Sequence, residues 1–453
     1  MNIKIPQDVQ HTISILEQNN HSAYVVGGCV RDMMLGITPH DYDICTSATP
    51  DEMKEAFGEY DIIETGLKHG TITVKGLDDF YEVTTYRVDG EYKDSRHPEN
   101  VVFVDNIEED LARRDFTINA MAYNKKTGLI DPFGGRKDLE NKIIRCVGNP
   151  DKRFQEDALR ILRCLRFASR FCFDIEENTK NAIFRNKDLL QNISKERINS
   201  EFVKILQNAD FKMLNEYKDV FVVFIPEIKD TFYFEQNNYH HKYNVYEHMM
   251  HAVDYSNDDI YVKLALFLHD IGKPSVYTVD DNGVGHFYGH AVVSGEMAEQ
   301  ILKRLKFDND TIEKVTTLII NHDLEPQPSE KFARKILKNL GYEQAKRLIE
   351  IERCDKMAQT VNKDSLKTNQ NLAALSYNIE NIIERNECFS IKDLAVNGND
   401  LIKEGIPQGV ILGNILKKLL ENVIENPNEN NKEHLILLAK EMYDNISEIK
   451  NHL

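Results

Sequence analysis

Several things are scarce in this chain, and each shortage narrows what it can be. Its seven cysteines (Cys29, Cys45, Cys146, Cys164, Cys172, Cys354 and Cys388) include no C-x-x-C pair and follow no regular spacing. That sets aside a zinc ribbon and a disulfide framework and fits a reducing cytosol. No apolar run approaches the roughly 20 residues of a membrane-spanning helix. Met1 leads into a polar amphipathic segment rather than a long apolar one, so a soluble, untargeted, cytoplasmic protein is expected. Positive charge is in deficit: 56 Lys and Arg against 74 Asp and Glu leave a net charge of −18. This argues against a protein coated by nucleic acid, because phosphate binding is largely electrostatic. Between residues 151 and 212, however, basic residues slightly outnumber acidic ones, which allows an RNA contact there. The 453 residues suffice for about two to four domains with ample core.

The richest stretch runs from Tyr24 to Cys45, Y-V-V-G-G-C-V-R-D-M-M-L-G-I-T-P-H-D-Y-D-I-C. It predicts an apolar strand (Tyr24, Val25, Val26), a glycine turn (Gly27, Gly28), a helix carrying Arg31 and Asp32, and a second strand opening with Asp41 and Asp43. Side chains two apart on a strand leave the same face. Two carboxylates aimed at one point call for a cation. A turn that opens a helix offers backbone N–H groups to phosphate oxygens. Phosphate at the turn, a divalent metal on Asp41 and Asp43 and a clamp from Arg31 together describe nucleotidyl transfer. An Asp-rich β-turn beside a structural glycine pair would fit the same residues.

Around this stretch, Val9, Ile13 and Leu16 mark an opening amphipathic helix, and Pro50 starts another that runs to Ala56. Strand-like runs follow at 61–64, 71–75 and 80–86. If the last lies beside the aspartate strand, Glu82 becomes a third carboxylate, useful to a metal or to an attacking hydroxyl; a solvent-facing Glu on an edge strand is the alternative. Residues 88–100 are polar, carry both charge signs and read as a lid-like loop. From Glu109 to Tyr123 the chain reads as a helix end and then a buried strand, with Arg113-Arg114-Asp115 at the junction, suited either to triphosphate contact or to a surface salt-bridge cluster. Residues 143–147 read as a final strand, and Asn149-Pro150 marks a boundary.

Beyond it the apolar period lengthens to 3.6. Residues 154–171 predict one helix, with Leu159, Leu162, Leu165 and Phe167 as its apolar stripe and Arg160, Arg163, Arg166 and Arg170 elsewhere around it. Asp157 and Arg160, three apart, would be neighbours on its surface. Cytosine and adenine both present an exocyclic N–H beside a ring-nitrogen acceptor; uracil and guanine present the reverse. An Asp accepting and an Arg donating would admit C and A and reject U and G, while an ordinary ion pair is the plainer use of the same two residues. Further on, His248, His269, Asp270, His290, His322 and Asp355 fall on or at the ends of predicted helices and offer imidazole and carboxylate ligands for one or two divalent ions. Residues 369–453 read as helical, with amphipathic runs at 411–424 and 434–446 and no catalytic constellation.

Taken together, Gly27-Gly28-Cys29-Val30-Arg31-Asp32 to Asp41-Tyr42-Asp43, Arg113-Arg114-Asp115-Phe116-Thr117-Ile118-Asn119-Ala120, and Glu156-Asp157-Ala158-Leu159-Arg160-Ile161-Leu162-Arg163 resemble the class II tRNA nucleotidyltransferases, the CCA-adding enzymes grouped with bacterial poly(A) polymerases. The resemblance implies an α+β protein: a nucleotidyltransferase head with a small mixed β-sheet (1–148), then an all-α neck (149–225), an HD-type body (226–368) and a helical tail (369–453). It implies Mg²⁺ on Asp41 and Asp43, triphosphate contacts from Gly28, Arg31 and Arg114, a C-and-A template in Asp157 and Arg160, and further nucleotide contacts from Arg163 and Arg166. The expected partners are a tRNA 3′ end, CTP and ATP, with no membrane. Asp94, Arg96, His97 and Pro98 keep a D-x-R-H-P pattern where the family's CC-only members are shortened. The block from His248 to Asp355 resembles an HD phosphohydrolase domain, with His248, His269, Asp270 and Asp355 at its core ligand positions, His290 and His322 at auxiliary ones, and a second divalent transition metal implied. An A-adding enzyme or poly(A) polymerase, and an HD phosphohydrolase with an RNA-binding head, stand as alternatives.

Overall fold

The computed structural model describes residues 3–76, 79–90, 101–238, 242–361 and 363–451. The chain divides into two units, 1–226 and 227–453. Among the described residues, no helix is long and apolar enough to cross a membrane.

Unit 1 is built on a seven-stranded mixed sheet in the order β3-β4-β5-β2-β1-β8-β9. The strands are β1 (Ala23–Val26), β2 (Ile44–Thr46), β3 (Ile62–Gly66), β4 (Thr71–Lys75), β5 (Phe80–Thr85), β8 (Ala122–Asn124) and β9 (Gly128–Ile130), with β6 (Arg87–Asp89) and β7 (Val101–Phe103) pairing separately. All ladders of the large sheet are antiparallel except β2 with β5, which is parallel. β1 is the apolar A-Y-V-V run and is buried along its whole length, as a central strand covered on both faces must be. The helices of this unit are α1 (Gln7–Gln18), α2 (Gly28–Met34), α3 (Pro50–Ala56), α4 (Ile107–Ala112), α5 (Gly135–Glu140), α6 (Pro150–Glu156), α7 (Leu159–Phe171), α8 (Glu177–Asn186), α9 (Lys195–Leu206), α10 (Phe211–Glu216) and α11 (Lys218–Phe221). A mixed sheet followed by helices is the α+β architecture expected from the sequence.

Four expectations need correction. Asp41 and Asp43 precede β2, which begins at Ile44, although Val26 N–H still donates to the Asp43 carbonyl at 3.0 Å. The buried strand expected before Tyr123 is a 3₁₀ turn at Thr117–Asn119 followed by short β8, because Phe116 N–H bonds the Asp115 carboxylate and Thr117 N–H bonds the Arg145 carbonyl. The run at 143–147 shrinks to β10 (Ile143–Ile144), paired not with the main sheet but with β11 (Asp174–Ile175). The single helix at 154–171 is two. Asp157 is extended (φ −146°, ψ 104°), and its carboxylate accepts from Leu159 N–H at 3.0 Å, so it ends α6 and starts α7. A side chain that bonds its own backbone two residues on competes with the helix ladder. Of the loop at 88–100, Val88 and Asp89 belong to β6; Asp94, Arg96, His97 and Pro98 lie outside the described residues.

Unit 2 is helical: α12 (Val245–Asp254), α13 (Ile260–Leu268), α14 (Lys273–Val276), α15 (His290–Arg304), α16 (Asn309–Asn321), α17 (Glu330–Leu340), α18 (Tyr342–Met357), α19 (Lys363–Glu384), α20 (Gly398–Lys403), α21 (Val410–Glu425) and α22 (Lys432–Asn451). One short hairpin, β12 (Thr278–Val279) with β13 (Gly285–His286), interrupts it. The apolar run of α13 is buried from Val262 to Leu268, so the helix delivers His269 and Asp270 at its end into the interior.

The turn between β1 and α2 requires glycine for two reasons. Gly27 has φ +74°, and a Cβ there would lie 2.6 Å from Nη1 of Arg114. Gly36 has φ +75° with nothing within 4 Å of its would-be Cβ. Gly27→Ala should therefore cost about 1–3 kcal/mol and Gly36→Ala about 1 kcal/mol, measured by urea unfolding. Equal costs would remove the Arg114 approach as a contributor.

Candidate active site

Unit 1 contains a cleft of about 490 Å³. Eight arginines line it (Arg31, Arg113, Arg114, Arg160, Arg163, Arg166, Arg170 and Arg197) against four aspartates (Asp41, Asp43, Asp115 and Asp157). In so acidic a chain, such a local surplus of guanidinium groups describes a site for a polyanion.

Asp41 and Asp43 are open to this cleft. Neither carboxylate has an ion-pair or hydrogen-bond partner among the described residues. Enclosure by surrounding protein holds Asp43 above the usual carboxylate range, Arg114 opposes that, and repulsion from Asp41 and Glu82 adds to it. Two crowded, unpartnered carboxylates are hard oxygen donors and fit a divalent cation such as Mg²⁺. Glu82 is exposed and does not line the cleft. It reaches Asp43 through its field, because the register pairs Ile44 with Val83 and so sets the preceding residues side by side.

Of the two neighbouring arginines, Arg113 is the more committed. Its Nε and Nη2 bond Asp110 at 3.0 and 2.8 Å. Arg114 reaches Asp110 at 3.5 Å, and its buried Nε has no hydrogen-bond partner among the described residues. Gly28 also lines the cleft, with room for a Cβ 3.6 Å from Arg31 Nη2. Arg31 itself is buried, donating to Asp32 (2.8 Å) and Asn119 (2.6 Å), with its guanidinium 5.0 and 4.9 Å from the ring centroids of Phe167 and Phe171.

Asp115 ties these groups together. One oxygen accepts from Asn119 Nδ2 (3.0 Å) and Phe116 N–H (2.8 Å); the other accepts both Nε (2.8 Å) and Nη2 (2.6 Å) of Arg163. Burial opposes its ionisation, yet Arg163 and Asn119 hold its carboxyl well below the usual range. Arg166 is held in turn by Glu201 of α9 at 3.2 Å.

Asp157 and Arg160 both line the cleft but lie on opposite sides of the α6–α7 break and do not pair as spacing on one helix would have them do. Asp157 accepts from Arg197 Nη2 at 2.8 Å; Arg160 bonds Glu156 (2.7 Å) and the carbonyls of Arg153 (3.2 Å) and Arg113 (3.1 Å). Arg197 is legible only as part of a helix start, because it stands 40 residues from its partner; the local basic surplus at 151–212 was the one hint of a site role. The hub roles of Asp115 and Asn119 were also missed, although both fall inside a motif already singled out.

In unit 2, the predicted ligands come together. His248 Nε2 lies 2.8 Å from Asp355 and 3.4 Å from Asp270, His269 Nε2 3.3 Å from Asp270, and His290 and His322 Nε2 3.4 and 3.6 Å from the other Asp270 oxygen. His248, His269 and Asp270 form one compact triad, and Asp270, His290 and His322 a second. The Nδ1 atoms of His269, His290 and His322 bond the carbonyls of Leu266 (2.8 Å), Phe287 (2.9 Å) and Ile319 (2.6 Å). A carbonyl accepts only, so each Nδ1 carries a proton and each Nε2 faces inward. Two such nitrogens, of His290 and His322, stand 3.2 Å apart, which needs a cation or proton between them. Although burial opposes its charging, Asp270 and Asp355 push His269 up to about 10. Imidazole nitrogens around a bridging carboxylate fit divalent transition metals.

Residues 23–145 match the Poly A polymerase head domain family, 172–230 the family described as a probable RNA and SrmB-binding site of polymerase A, and 287–439 that described as tRNA nucleotidyltransferase domain 2, putative. A CCA-adding enzyme from Lactobacillus delbrueckii subsp. bulgaricus is 45% identical over 229 residues, covering 50% of this chain and 57% of that protein. Another from Lactobacillus helveticus is 51% identical over 193 residues, covering 43% and 48%. The chain thus spans about half the length of these curated relatives. The crystal structure of the Bacillus stearothermophilus CCA-adding enzyme in complex with CTP superposes with a TM-score of 0.70 at 28% identity, covering 98% of both chains.

Asp115→Asn leaves Arg163 without its counter-ion and should cost about 2 kcal/mol at neutral pH, less than a fully buried pair because Arg163 is partly exposed. A depressed carboxyl contributes stability above its unfolded value of about 3.9 and loses it as pH falls through the folded value. The difference between variant and wild type should therefore shrink below about pH 4, as read by denaturant titration across pH. A difference constant with pH would contradict the charge role.

Proposed function

We propose that the chain is a tRNA nucleotidyltransferase of the poly(A) polymerase family it resembles, and that it adds C, C and A to tRNA 3′ ends from CTP and ATP without a nucleic-acid template. The observation that carries this reading is one cleft lined both by unpartnered Asp41 and Asp43 and by Asp157 with Arg160. In the reaction, the tRNA 3′ hydroxyl attacks the α-phosphate and pyrophosphate leaves. Asp41 and Asp43 would hold Mg²⁺, which supplies charge stabilisation at the attacking and leaving oxygens. Glu82 keeps negative charge beside that pair. Arg114, Arg163 and Arg166 take the charge of the triphosphate, Gly28 lets it approach the backbone, and Arg31 stiffens that wall of the cleft. Asp157 accepts from the exocyclic amino group of C or A while Arg160 donates to the ring nitrogen. These substrates also make the cytoplasm the expected compartment.

A second reading concerns unit 2 and is favoured by the convergence of Nε2 atoms around Asp270. We infer an HD-type centre in which His248, His269, Asp270 and Asp355, with His290 and His322, hold a divalent transition metal. Such a metal supplies Lewis acidity toward a phosphoester, and Lys273, 2.6 Å from Asp270, sets the charge balance of the site.

Three tRNAs, ending before the first C, after C and after CC, each given CTP, ATP or both, test the first reading. Ordered addition of C, C and A is expected. ATP alone extending the CC form with no C added to the others would indicate an A-adding enzyme, and a long A tail a poly(A) polymerase. Asp43→Ala should abolish all transfer, whereas Asp157→Ala or Arg160→Ala should retain transfer and admit U; equal loss in all three would count against a base-reading role. For the second reading, the purified protein should retain Mn²⁺ or Ni²⁺ and hydrolyse a cyclic nucleotide. His269→Ala should lose both metal and turnover, and metal content unchanged in that variant would remove the centre.

A further inference from the structure

The two residues read above as the base template carry opposite charges and stand three positions apart, so the simplest outcome is that they neutralise each other. The structure prevents it. Asp157 is extended between the two helices, and two contacts hold its carboxylate: Leu159 N–H on one oxygen at 3.0 Å and Arg197 Nη2 on the other at 2.8 Å. A carboxylate has about four acceptor positions, so each oxygen can still receive a donor from the cleft. Arg160 spends both hydrogens of Nη1, on Glu156 and Arg153, and one of Nη2, on Arg113. Its Nε–H and the second Nη2–H remain for a ligand.

Arg197 belongs to α9, which packs against α7. One turn on, Glu201 holds Arg166, so one face of α9 addresses two residues of the cleft wall across the helix interface. We propose that Arg197 is a positioning residue for nucleotide selection: by taking one oxygen of Asp157, it keeps that carboxylate off Arg160 and aimed at the incoming base. This rests on the reading of Asp157 and Arg160 as the base template. Without Arg197, the carboxylate is released toward Arg160, which keeps two unspent hydrogens, and the acceptor–donor pair that favours C and A closes on itself. The consequence falls on discrimination rather than on chemistry.

The test is single-turnover incorporation of C against U into tRNA lacking its end, and of A against G into tRNA ending in CC. It compares the full-length wild type, Arg197→Met, Arg197→Lys, Asp157→Ala and the Arg197→Met/Asp157→Ala double variant, with melting curves alongside. Arg197→Met should lower both ratios about tenfold, the size of one misplaced charged hydrogen bond. Arg197→Lys, which keeps the charge and a donor, should fall between Met and wild type. The double variant should discriminate no worse than Asp157→Ala, since Arg197 acts through Asp157. Ratios unchanged in Arg197→Met, or losses that multiply in the double variant, would overturn the proposal. Should Arg197→Met fail to fold, a Lys variant with wild-type ratios would overturn it as well. Unchanged ratios in Asp157→Ala would instead overturn the underlying base-template reading.

Discussion

Everything in the cleft depends on how eight guanidinium groups can be kept in one small space. Two unit charges about 4 Å apart repel by about 4 kcal/mol at an effective dielectric of 20, so such a cluster disperses unless acids are placed among its members. Here the acids are distributed. Asp115 holds Arg163, Asp110 holds Arg113 and touches Arg114, Glu156 holds Arg160 and Arg153, Glu201 holds Arg166, and Asp157 holds Arg197. The aromatic rings of Phe167 and Phe171 add a neutral support for Arg31, since an arginine lying over a ring face is attracted by its quadrupole. The arrangement keeps the charges available at the surface of the cleft while preventing them from collapsing onto one another.

The central link runs from Arg31 through Asn119 and Asp115 to Arg163. It joins the helix after β1 to the 3₁₀ turn before β8 and then to α7. Three segments far apart in the sequence thus share one hydrogen-bonded chain along the wall of the cleft that Asp41, Asp43, Asp157 and Arg160 also line. Phosphoryl and nucleotidyl transfer leave little covalent work to the protein and depend mainly on positioning and charge stabilisation. A frame of this kind would serve the proposed transfer.

How much of this could be read in advance follows from the range of each interaction. β1, the turn at Gly27, α2, α3 and β4 were legible because apolar alternation, a glycine pair and a proline at a helix start are local signals. The meeting of His248, His269, Asp270, His290, His322 and Asp355 was legible as a set of residue types at helix ends, though not as geometry. The break at Asp157 was not, since the apolar stripe of α7 continues at a helical period through it, and the deciding bond from Leu159 N–H to the Asp157 side chain leaves no trace in that period. The strand expected before Tyr123 failed for a similar reason: Asp115 takes Phe116 N–H and curls the chain. In both places an aspartate that lines the cleft also bends the backbone, so pattern and structure part company at candidate site residues, and functional sites are where local rules are most often broken.

Buried histidines are commonly satisfied core residues, and six candidate ligands by residue type do not make a centre. What separates this cluster from a packed core is the use of Nδ1. Three imidazoles spend that proton on carbonyls of their own helix ends or turns, which leaves every Nε2 facing inward around one carboxylate. A core histidine satisfied for its own sake would spread its two nitrogens over a donor and an acceptor. Here the Nε2 atoms converge on buried carboxylates while the Nδ1 donors point away, a set of ligand atoms that would suit the cation of the proposed centre. Asp270, buried at the end of an apolar helix, is tolerable there only because its charge is shared with Lys273 and the surrounding rings. The burial that makes α13 a core helix therefore also sets Asp270 where the proposed centre would hold a cation.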